Sequence, residues 1–596
     1  MVDPRIYRSG LALVAVAVIV FAFSLTAQPA AAPTNLAPGA VAGKAFGTMN
    51  SLSHQFPDRA PGSQGDQDMA GWVAGQLRGD PGFSVTTTTA EAQTARGEEP
   101  LETVTATRPG LASGAIVVIS HRDAPGLANL SGTAVLLDLA RELSGQTENH
   151  TITLISTSGS VGAAGASQVA ESLSSQPVDA VIVLGDLAAA HPSEPLVVPW
   201  SDAEVLAPPV LRQTLGRYVH ADIGLPPGST NLAAQVAHLA FPITTTEQGP
   251  FGRYGIPAAL ISLSGYRLPA ANEAVSPLRV QQSENAVLQT VGALDNAPRV
   301  PGPAPYLQIG SKTVPGWAVR LLVLALIVPA VIATIDAVAR ARRRGHSILR
   351  WLGWVLASAV PFVLALVVML IVRVTGLLPA TPPGPVAGGV ALPGGGIALI
   401  CILGLVLVGS FVSLRPRCIR WAAGLGSSRR PPSSPAGDGA AVALVAVVCV
   451  TSLVVWASNP FAAGLLVPAL HLWLWLAQPG VRARRWLTAL LGLAGLVPGL
   501  LVVAYYVHLY GLGPVGLGWS AVLLVTGGQV SAAAAFGVCL VLGCAVSVLV
   551  IAARTAPAPS DPARVTVRGP VTYAGPGSLG GTESALGSRR DPAMRR

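Results

Sequence analysis

The chain has 596 residues, of which 51% are hydrophobic and only 11% charged, with a mean hydropathy of +0.55. Those values exclude an ordinary soluble domain and point to a membrane protein. Lysine plus arginine exceed aspartate plus glutamate by 38 to 29, a formal +9, but the cations gather beside apolar runs, where anionic lipid heads and not nucleic acid are their expected partners.

Arg5 and Arg8 precede an apolar run from Gly10 to Ala27, and the small residues of QPAAAPTNLAPG follow. The pattern fits a signal-anchor helix within residues 1–30 or a cleaved signal peptide. The apolar run is long for a signal core, so the anchor is the preferred reading. Both readings export the chain up to about residue 315.

Residues 40–300 alternate helical and strand patterns. DMAGWVAGQLRG (Asp68 to Gly79) puts Met69, Trp72, Val73 and Leu77 on one helical face. Strands are predicted at Gly114–Ser120, Thr151–Thr157, Val178–Asp186 and Ile256–Leu263, with helices at about 132–143, 163–174 and 284–297. β-Branched runs separated by helices predict an α/β domain with a mostly parallel sheet covered on both faces. In such sheets, ligands collect at the carboxyl ends of strands. His121 and Asp123, the STSGS segment from Ser156 to Ser160, and Asp186 all fall at predicted strand ends, and the loop Thr244–Pro257 can enter the same crevice.

Further apolar runs occupy about 317–338, 350–376, 393–414, 439–457, 460–478 and 486–508, with a longer one at 515–553. Placing RARRRGHSILR, RPRCIRW and VRARRW on the cytoplasmic side closes the alternation, and leaves the 40–300 domain outside a multi-pass cell-membrane protein. The last run is too long for one crossing, and TGGQ (Thr526 to Gln529) is a candidate turn within it. The bundle at 316–554 therefore has seven or eight helices. The Pro/Gly/Ser-rich tail at 555–596 reads as disordered. Asp336, His471, Tyr505, Tyr506 and His508 are the notable polar or aromatic groups at membrane depth, and His471 is the best candidate for a polar cavity. All five cysteines lie in the membrane half, so the exported domain has no disulfide, and no C-x-x-C pair suggests zinc or redox work.

Several segments resemble the M28 family of zinc aminopeptidases and carboxypeptidases. DRAPGSQGDQDMAGWVAGQL looks like that family's R-x-P-G-S opening, and SHRDAPGLANLSGTAVLLDLAREL its H-x-D segment and following helix. VGAAGAS, VLGD and PFGRYGIPA match later stations in order and spacing. The resemblance covers residues 40–300 and implies a zinc-exopeptidase-like α/β fold fused to an all-α transmembrane bundle. The overall layout is also similar to that of glycosylphosphatidylinositol anchor attachment 1 protein, although the Ala/Gly/Pro/Arg-rich style looks bacterial.

The resemblance implies a two-zinc site of two histidines, a bridging aspartate, a glutamate and a second aspartate, with another glutamate as general base. By position, the metal candidates that remain are His121 and Asp186, with Asp123 implied as the carboxylate orienting His121. The bridging aspartate falls on Ala128, before Asn129, and the two glutamates fall on Gly159 and Ser160. The family's S-D-H segment reads Thr246, Glu247, Gln248, and no second ligand histidine follows near Tyr266. Glu247 is the candidate replacement ligand; Glu273 and Asn272 are further ones.

Two cations a few Å apart need a bridging carboxylate, and the attacking water needs a proton acceptor. The expectation is therefore a catalytically silent M28-like domain, with no catalytic residue and no resident cofactor, that binds a peptide, a lipid-linked molecule or a membrane partner. Two alternatives stand beside it. One is an active zinc peptidase with relocated ligands, which predicts Glu247 close to His121 and Asp186. The other is a transporter or lipid-handling bundle that the external domain regulates, which predicts a polar cavity near His471.

Overall fold

The fold is that of a computed structural model, which describes residues 4–27, 29–33, 43–145, 148–228, 231–297, 299–344, 347–378, 381–386, 390–424, 438–477 and 485–554. Met1–Thr555 forms one compact unit. The tail at 555–596 lies outside the described residues.

Seven strands build the main sheet: β1 (Ser84–Thr94), β2 (Gly97–Arg108), β3 (Ala115–His121), β4 (Thr151–Thr157), β5 (Val178–Leu184), β6 (Val197–Val198) and β7 (Ala258–Ile261). Their order is β1-β2-β4-β3-β5-β7-β6. β3–β4, β3–β5 and β5–β7 are parallel, whereas β1–β2, β2–β4 and β6–β7 are antiparallel. The sheet is therefore mixed, which corrects the expectation of a mostly parallel one. The long β1–β2 hairpin escapes hydrophobic patterning because β1, SVTTTTAEAQT, is polar and exposed along most of its length.

Helices α1 (Pro4–Phe23), α2 (Ala45–Gln55), α3 (Gln64–Gly79), α4 (Ser131–Leu143), α5 (Ala164–Leu173), α6 (Pro209–Tyr218), α7 (Leu232–Ala240) and α8 (Pro277–Asp295) precede the hairpin β8 (Tyr306–Ile309) and β9 (Lys312–Pro315). Ser63 caps α3 by accepting from the Asp66 N–H, and Ser276 caps α8, which starts earlier than predicted with Pro277 in its first turn. Alternate residues of the central strands face opposite layers. Ile116 and Val118 pack with α2, α3, α4, α6 and α8, while Val117 and Ile119 join a core that runs past α5 and Trp200 into the membrane bundle. Each large apolar side chain so buried stabilises by about 1.5–3 kcal/mol.

The bundle comprises α9 (Gly316–Arg343), α10 (Ile348–Thr375), α11 (Gly394–Gly409), α12 (Arg415–Gly424), α13 (Asp438–Ser458), α14 (Pro460–Leu474), α15 (Arg485–Tyr510), α16 (Pro514–Thr526) and α17 (Ala532–Arg554). With α11 and α12 read as one continuous span, seven described helices are long and apolar enough to cross a membrane. The shorter α14 starts after Asn459, which lies beside α7, and carries His471 against α9.

α16 does not cross. It is about 20 Å long at 1.5 Å per residue, short of a hydrocarbon core of about 30 Å. Its Trp519 packs at Gly396, at the start of α11, and the Gly527–Gly528 turn beyond it packs on Thr381 and Arg373, at the end of α10. Both places lie at the domain-facing end of the bundle. The predicted TGGQ turn is present, but it joins a surface helix to a spanning one. α17 then leaves toward the opposite end, where Val548 meets Gly492 near the start of α15.

The membrane-depth polar groups are tied into packing. His471 takes a hydrogen bond from the Tyr7 hydroxyl at Nδ1 (3.2 Å) and donates from Nε2 to the Leu326 carbonyl (2.9 Å), so it joins α1, α9 and α14. Asp336 pairs with Arg340 at 2.7 Å.

Far from the strand ends, Asp138 on α4 and Glu284 on α8 are buried together. Burial, then the charge and hydrogen bond of Asp138, push the Glu284 carboxyl up to about 8. The fold thus holds a proton that the unfolded chain releases near pH 4.3. The resulting stabilisation is full below that value and is lost as pH rises through about 8. In thermal unfolding of the detergent-solubilised chain, Glu284→Gln is expected to flatten this decline, with a midpoint at alkaline pH about 2–4 °C above wild type. Parallel pH profiles for the two proteins would refute the assignment.

Candidate functional site

The site lies where β3, β4 and β5 end. Arg59, from the DRAPGS segment, is buried and donates to four carbonyls: Phe56 (2.7 Å), Arg122 (3.2 Å), Ala124 (2.8 Å) and Gly126 (3.2 Å). It staples the loop after His121. Arg122, fully buried, pairs with Asp66 at 2.7 Å and donates to the carbonyls of Glu102 and Ser156. Asp66 in turn accepts from the Ser158 hydroxyl at 2.6 Å. Sequence reading missed this Arg122–Asp66–Ser158 network, and the one signal available was charged residues set inside otherwise apolar segments.

His121 Nδ1 lies 2.7 Å from Glu247 Oε2, with both side chains almost wholly buried. Burial alone would lower the histidine, but the charge and hydrogen bond of Glu247, together with the charge of Asp123, push it up to about 9. The pair is an imidazolium and a carboxylate in direct contact. Thr157 donates to the other carboxylate oxygen at 3.4 Å. Two donors on one tetrahedral zinc, each about 2.0–2.1 Å from it, stand about 3.3 Å apart, so a 2.7 Å contact is a hydrogen bond and leaves no place for a shared ion between them.

Asp123 does not orient His121, contrary to expectation. Its carboxylate accepts from the Ser160 N–H (3.2 and 3.1 Å to the two oxygens) and the Ser160 hydroxyl (3.0 Å). Ser160 supplies two donors that hold Asp123, and Glu247 meets the histidine. Burial pushes Asp123 up to about 6, against the opposing charge of His121.

Asp186 accepts from the Ser264 hydroxyl (2.5 Å) and the Ala188 N–H (2.8 Å). Burial raises it, with Glu273 adding to the rise. Among the described residues no hydrogen bond or ion pair joins Asp186 to His121 or Glu247. Asn129 donates to the carbonyls of Pro125 (2.5 Å) and Pro269 (3.3 Å), and Gln248 donates to that of Trp200 (2.9 Å), so both hold loops.

Ala128 is buried at the start of a single 3-10 turn and offers no donor. Gly159 has φ +78°, and a Cβ there would stand 2.8 Å from Leu101 Cδ1. A glutamate there would be strained by the left-handed backbone and would displace the Leu101 side chain. Among the described residues no three His, Cys, Asp or Glu side chains group to hold a metal ion. The residues present do not fit a two-zinc centre. Beside the site opens a cavity of about 280 Å3, whose lining includes Asp58, Arg59, Thr94, Arg96, Asp123 and Val161.

The strand-end loops press on the bundle. A Cβ on Gly162 (φ +87°) would stand 2.5 Å from Pro382, and one on Gly384 would stand 3.2 Å from the Gly162 carbonyl and 3.3 Å from that of Thr244. Only backbone this bare allows the loop after α10 to seat between the two site loops. Arg267 caps α15 through the carbonyls of His508 and Leu509. His238 on α7 stacks on Trp200 with centroids 4.5 Å apart, and its Nε2 meets the Tyr505 hydroxyl at 3.0 Å. Tyr506 donates to the Phe241 carbonyl at 2.5 Å. Burial keeps His238 neutral, lowered to about 3. Asn459, before α14, donates to the carbonyls of Leu239 and Ala240.

No family model and no curated protein matches the sequence. Among solved structures, the chain is similar to Porphyromonas gingivalis glutaminyl cyclase, at 18% identity and TM-score 0.32 over 42% of this chain and 98% of that one. It is also similar to a leucine aminopeptidase precursor from Bacteroides thetaiotaomicron (13%, TM-score 0.35, 42% and 95%) and to the Legionella pneumophila LapA aminopeptidase (15%, TM-score 0.35, 46% and 79%). Likenesses at this level decide nothing about the chemistry of this chain, which rests on its own residues.

Glu247→Ala is expected to destabilise the fold by about 3–5 kcal/mol, because it leaves a buried imidazolium unpaired. The double change His121→Leu with Glu247→Leu should cost less than the sum of the single changes. Because His121 is raised from 6.5, the stabilisation of the pair is full below about pH 6.5 and is lost as pH rises through about 9. Chemical denaturation at several pH values checks both points; additive single changes with no pH slope would contradict the pair. For the domain–bundle contact, Tyr505→Phe with Tyr506→Phe should speed hydrogen exchange in α7 while β3–β5 stay protected. Unchanged exchange in α7 would count against it.

Proposed function

We propose that this protein is a membrane-embedded M28-like domain without hydrolytic activity, which works as a binding or assembly module at the domain-facing membrane surface. The single observation that carries the reading is that, among the described residues, no three His, Cys, Asp or Glu side chains group to hold a metal ion, Glu247 being held by Nδ1 of His121. Ala128, Gly159 and Ser160 support it, since they supply no bridge, no base and no carboxylate ligand. Asp186 is held by Ser264 and the Ala188 N–H, so it too is engaged.

The cavity at Asp58, Arg59, Arg96 and Asp123 is the recognition space that fits this reading. It carries both signs of charge, which suits a peptide or a lipid-linked ligand with polar groups of both kinds. The layout, similar to that of glycosylphosphatidylinositol anchor attachment 1 protein, is in keeping with assembly work beside a membrane.

The full chain, purified in mild detergent without chelator, should carry substoichiometric zinc and should not hydrolyse aminoacyl or peptide substrates above buffer, and Gly159→Glu should not create activity. Stoichiometric zinc, with hydrolysis that His121→Ala abolishes, would overturn the proposal in favour of a metallopeptidase with relocated ligands.

A further inference from the structure

The two edges of the main sheet end differently. At one edge β6 is two buried residues long, and the N–H groups of Leu196 and Val197 donate to the Pro227 carbonyl at 2.9 and 3.2 Å, which covers it. The other edge is β1, eleven residues long, with Thr86 through Glu91 exposed. Proteins blunt such an edge with lysine, proline or a bulge. β1 carries none of these: its register with β2 runs unbroken from Ser84–Thr107 to Thr94–Gly97, and its one charged residue is Glu91.

The register also fixes which backbone groups are left over. The two-residue loop Ala95–Arg96 makes Thr94–Gly97 a hydrogen-bonded pair, and pairs alternate from there, so the even-numbered residues of β1 bond β2. Pro100 fits this frame, since it lacks an N–H and stands opposite Glu91, at a pair that exchanges no hydrogen bond. The N–H and C=O groups of Val85, Thr87, Thr89 and Glu91 therefore point off the edge. Gln168 of α5 donates to the Glu91 carbonyl at 3.1 Å and closes that end. Among the described residues, no hydrogen bond from outside the hairpin reaches the backbone of Val85, Thr87 or Thr89.

We infer that β1 pairs antiparallel with β1 of a second copy of this chain, about a two-fold axis through Thr87. Thr87 then stands opposite Thr87 and Val85 opposite Thr89, and each such pair exchanges two N–H···O=C bonds, which uses every open backbone group from Val85 to Thr89. Thr86 meets Thr88 in the closer pairs between them, where threonines favour one another across strands. Glu91 falls opposite Phe83, so like charges do not meet. The membrane selects a second copy as the occupant. Val117 and Ile119 turn one face of the sheet toward the bundle. The two-fold of an antiparallel pair is normal to the sheet, so it keeps the bundles of both copies on the same side, as a shared bilayer demands. Confinement to that bilayer also raises the local concentration of edges, which a contact one strand long needs.

The test uses the full chain in phosphatidylcholine liposomes, with Cys401→Ser and Cys418→Ser to remove the cysteines that are not buried. Added Thr87→Cys brings two sulfurs across a hydrogen-bonded pair with Cα atoms about 5.5 Å apart, within disulfide reach. Mild oxidation should link it into a covalent dimer. Glu91→Cys should stay monomeric, because at about 3.4 Å per residue the two copies of position 91 lie about 27 Å apart along the strands. Thr87→Lys, at an exposed position, sets like charges on the axis. It should weaken association of fluorescently labelled copies at least about tenfold while unfolding as wild type does. Equal linking of the two cysteine variants, no linking of Thr87→Cys, or association that Thr87→Lys leaves unchanged would overturn the assignment. So would a chain that stays monomeric at every density in the bilayer, which would leave the edge to an extended segment of another protein.

Discussion

A protonated imidazole and a carboxylate, 2.7 Å apart and shut away from water, fix the centre of the α/β domain. Neither group tolerates burial alone, so each requires the other, and the loops that carry them are held together. His121 ends β3 and Glu247 belongs to the loop before β7, so the pair ties the centre of the sheet to the loop that meets the bundle. The neighbouring carboxylates follow the same rule. Asp123 accepts hydrogen bonds from Ser160, Asp66 pairs with Arg122 and accepts from Ser158, and Asp186 accepts from Ser264. Hydrogen bonds and ion pairs within the protein thus hold the acidic groups of the strand-end crevice.

Domain and bundle share a core. Val117 and Ile119 on one face of the sheet belong to the same packed cluster as Trp351 and Leu444 in the membrane helices. The contact between them combines aromatic stacking around His238, capping of α15 by Arg267 and the bare backbone at Gly162 and Gly384. A ligand reaching the cavity beside Asp123 would therefore touch a surface backed by Val161 and, one residue on, by the loop after α10.

Much of this was legible in the residues. The buried strands announced themselves through continuous β-branched runs, as at Ala115–His121 and Thr151–Thr157, and the spanning helices through apolar length. The β1–β2 hairpin did not, because its threonines carry strand propensity without an apolar face. The reading of His121 with Asp123 failed for a different reason. The resemblance implied Asp123 as the partner of His121, whereas the hydroxyl and N–H of Ser160 hold Asp123 and the histidine meets a residue 126 positions along the chain. His238, Trp200 and Tyr266 carried no signal at all, since a lone histidine and scattered aromatics look the same whether they fill a core or join two halves of a molecule.

The sequence by itself determined the buried strands and the long apolar helices, because periodicity, apolar length and side-chain chemistry are local properties of the chain. That Ala128, Gly159 and Ser160 cannot bridge, accept a proton or ligate as carboxylates follows from their identity alone. Tertiary structure alone decided that Glu247 meets His121, that Asp123 turns to Ser160, and that α16 and the turn after it pack at the end of α10 and the start of α11. Those outcomes depend on which of several competing partners lies within about 3 Å once the core has packed, and that distance is set by contacts between segments far apart in the chain.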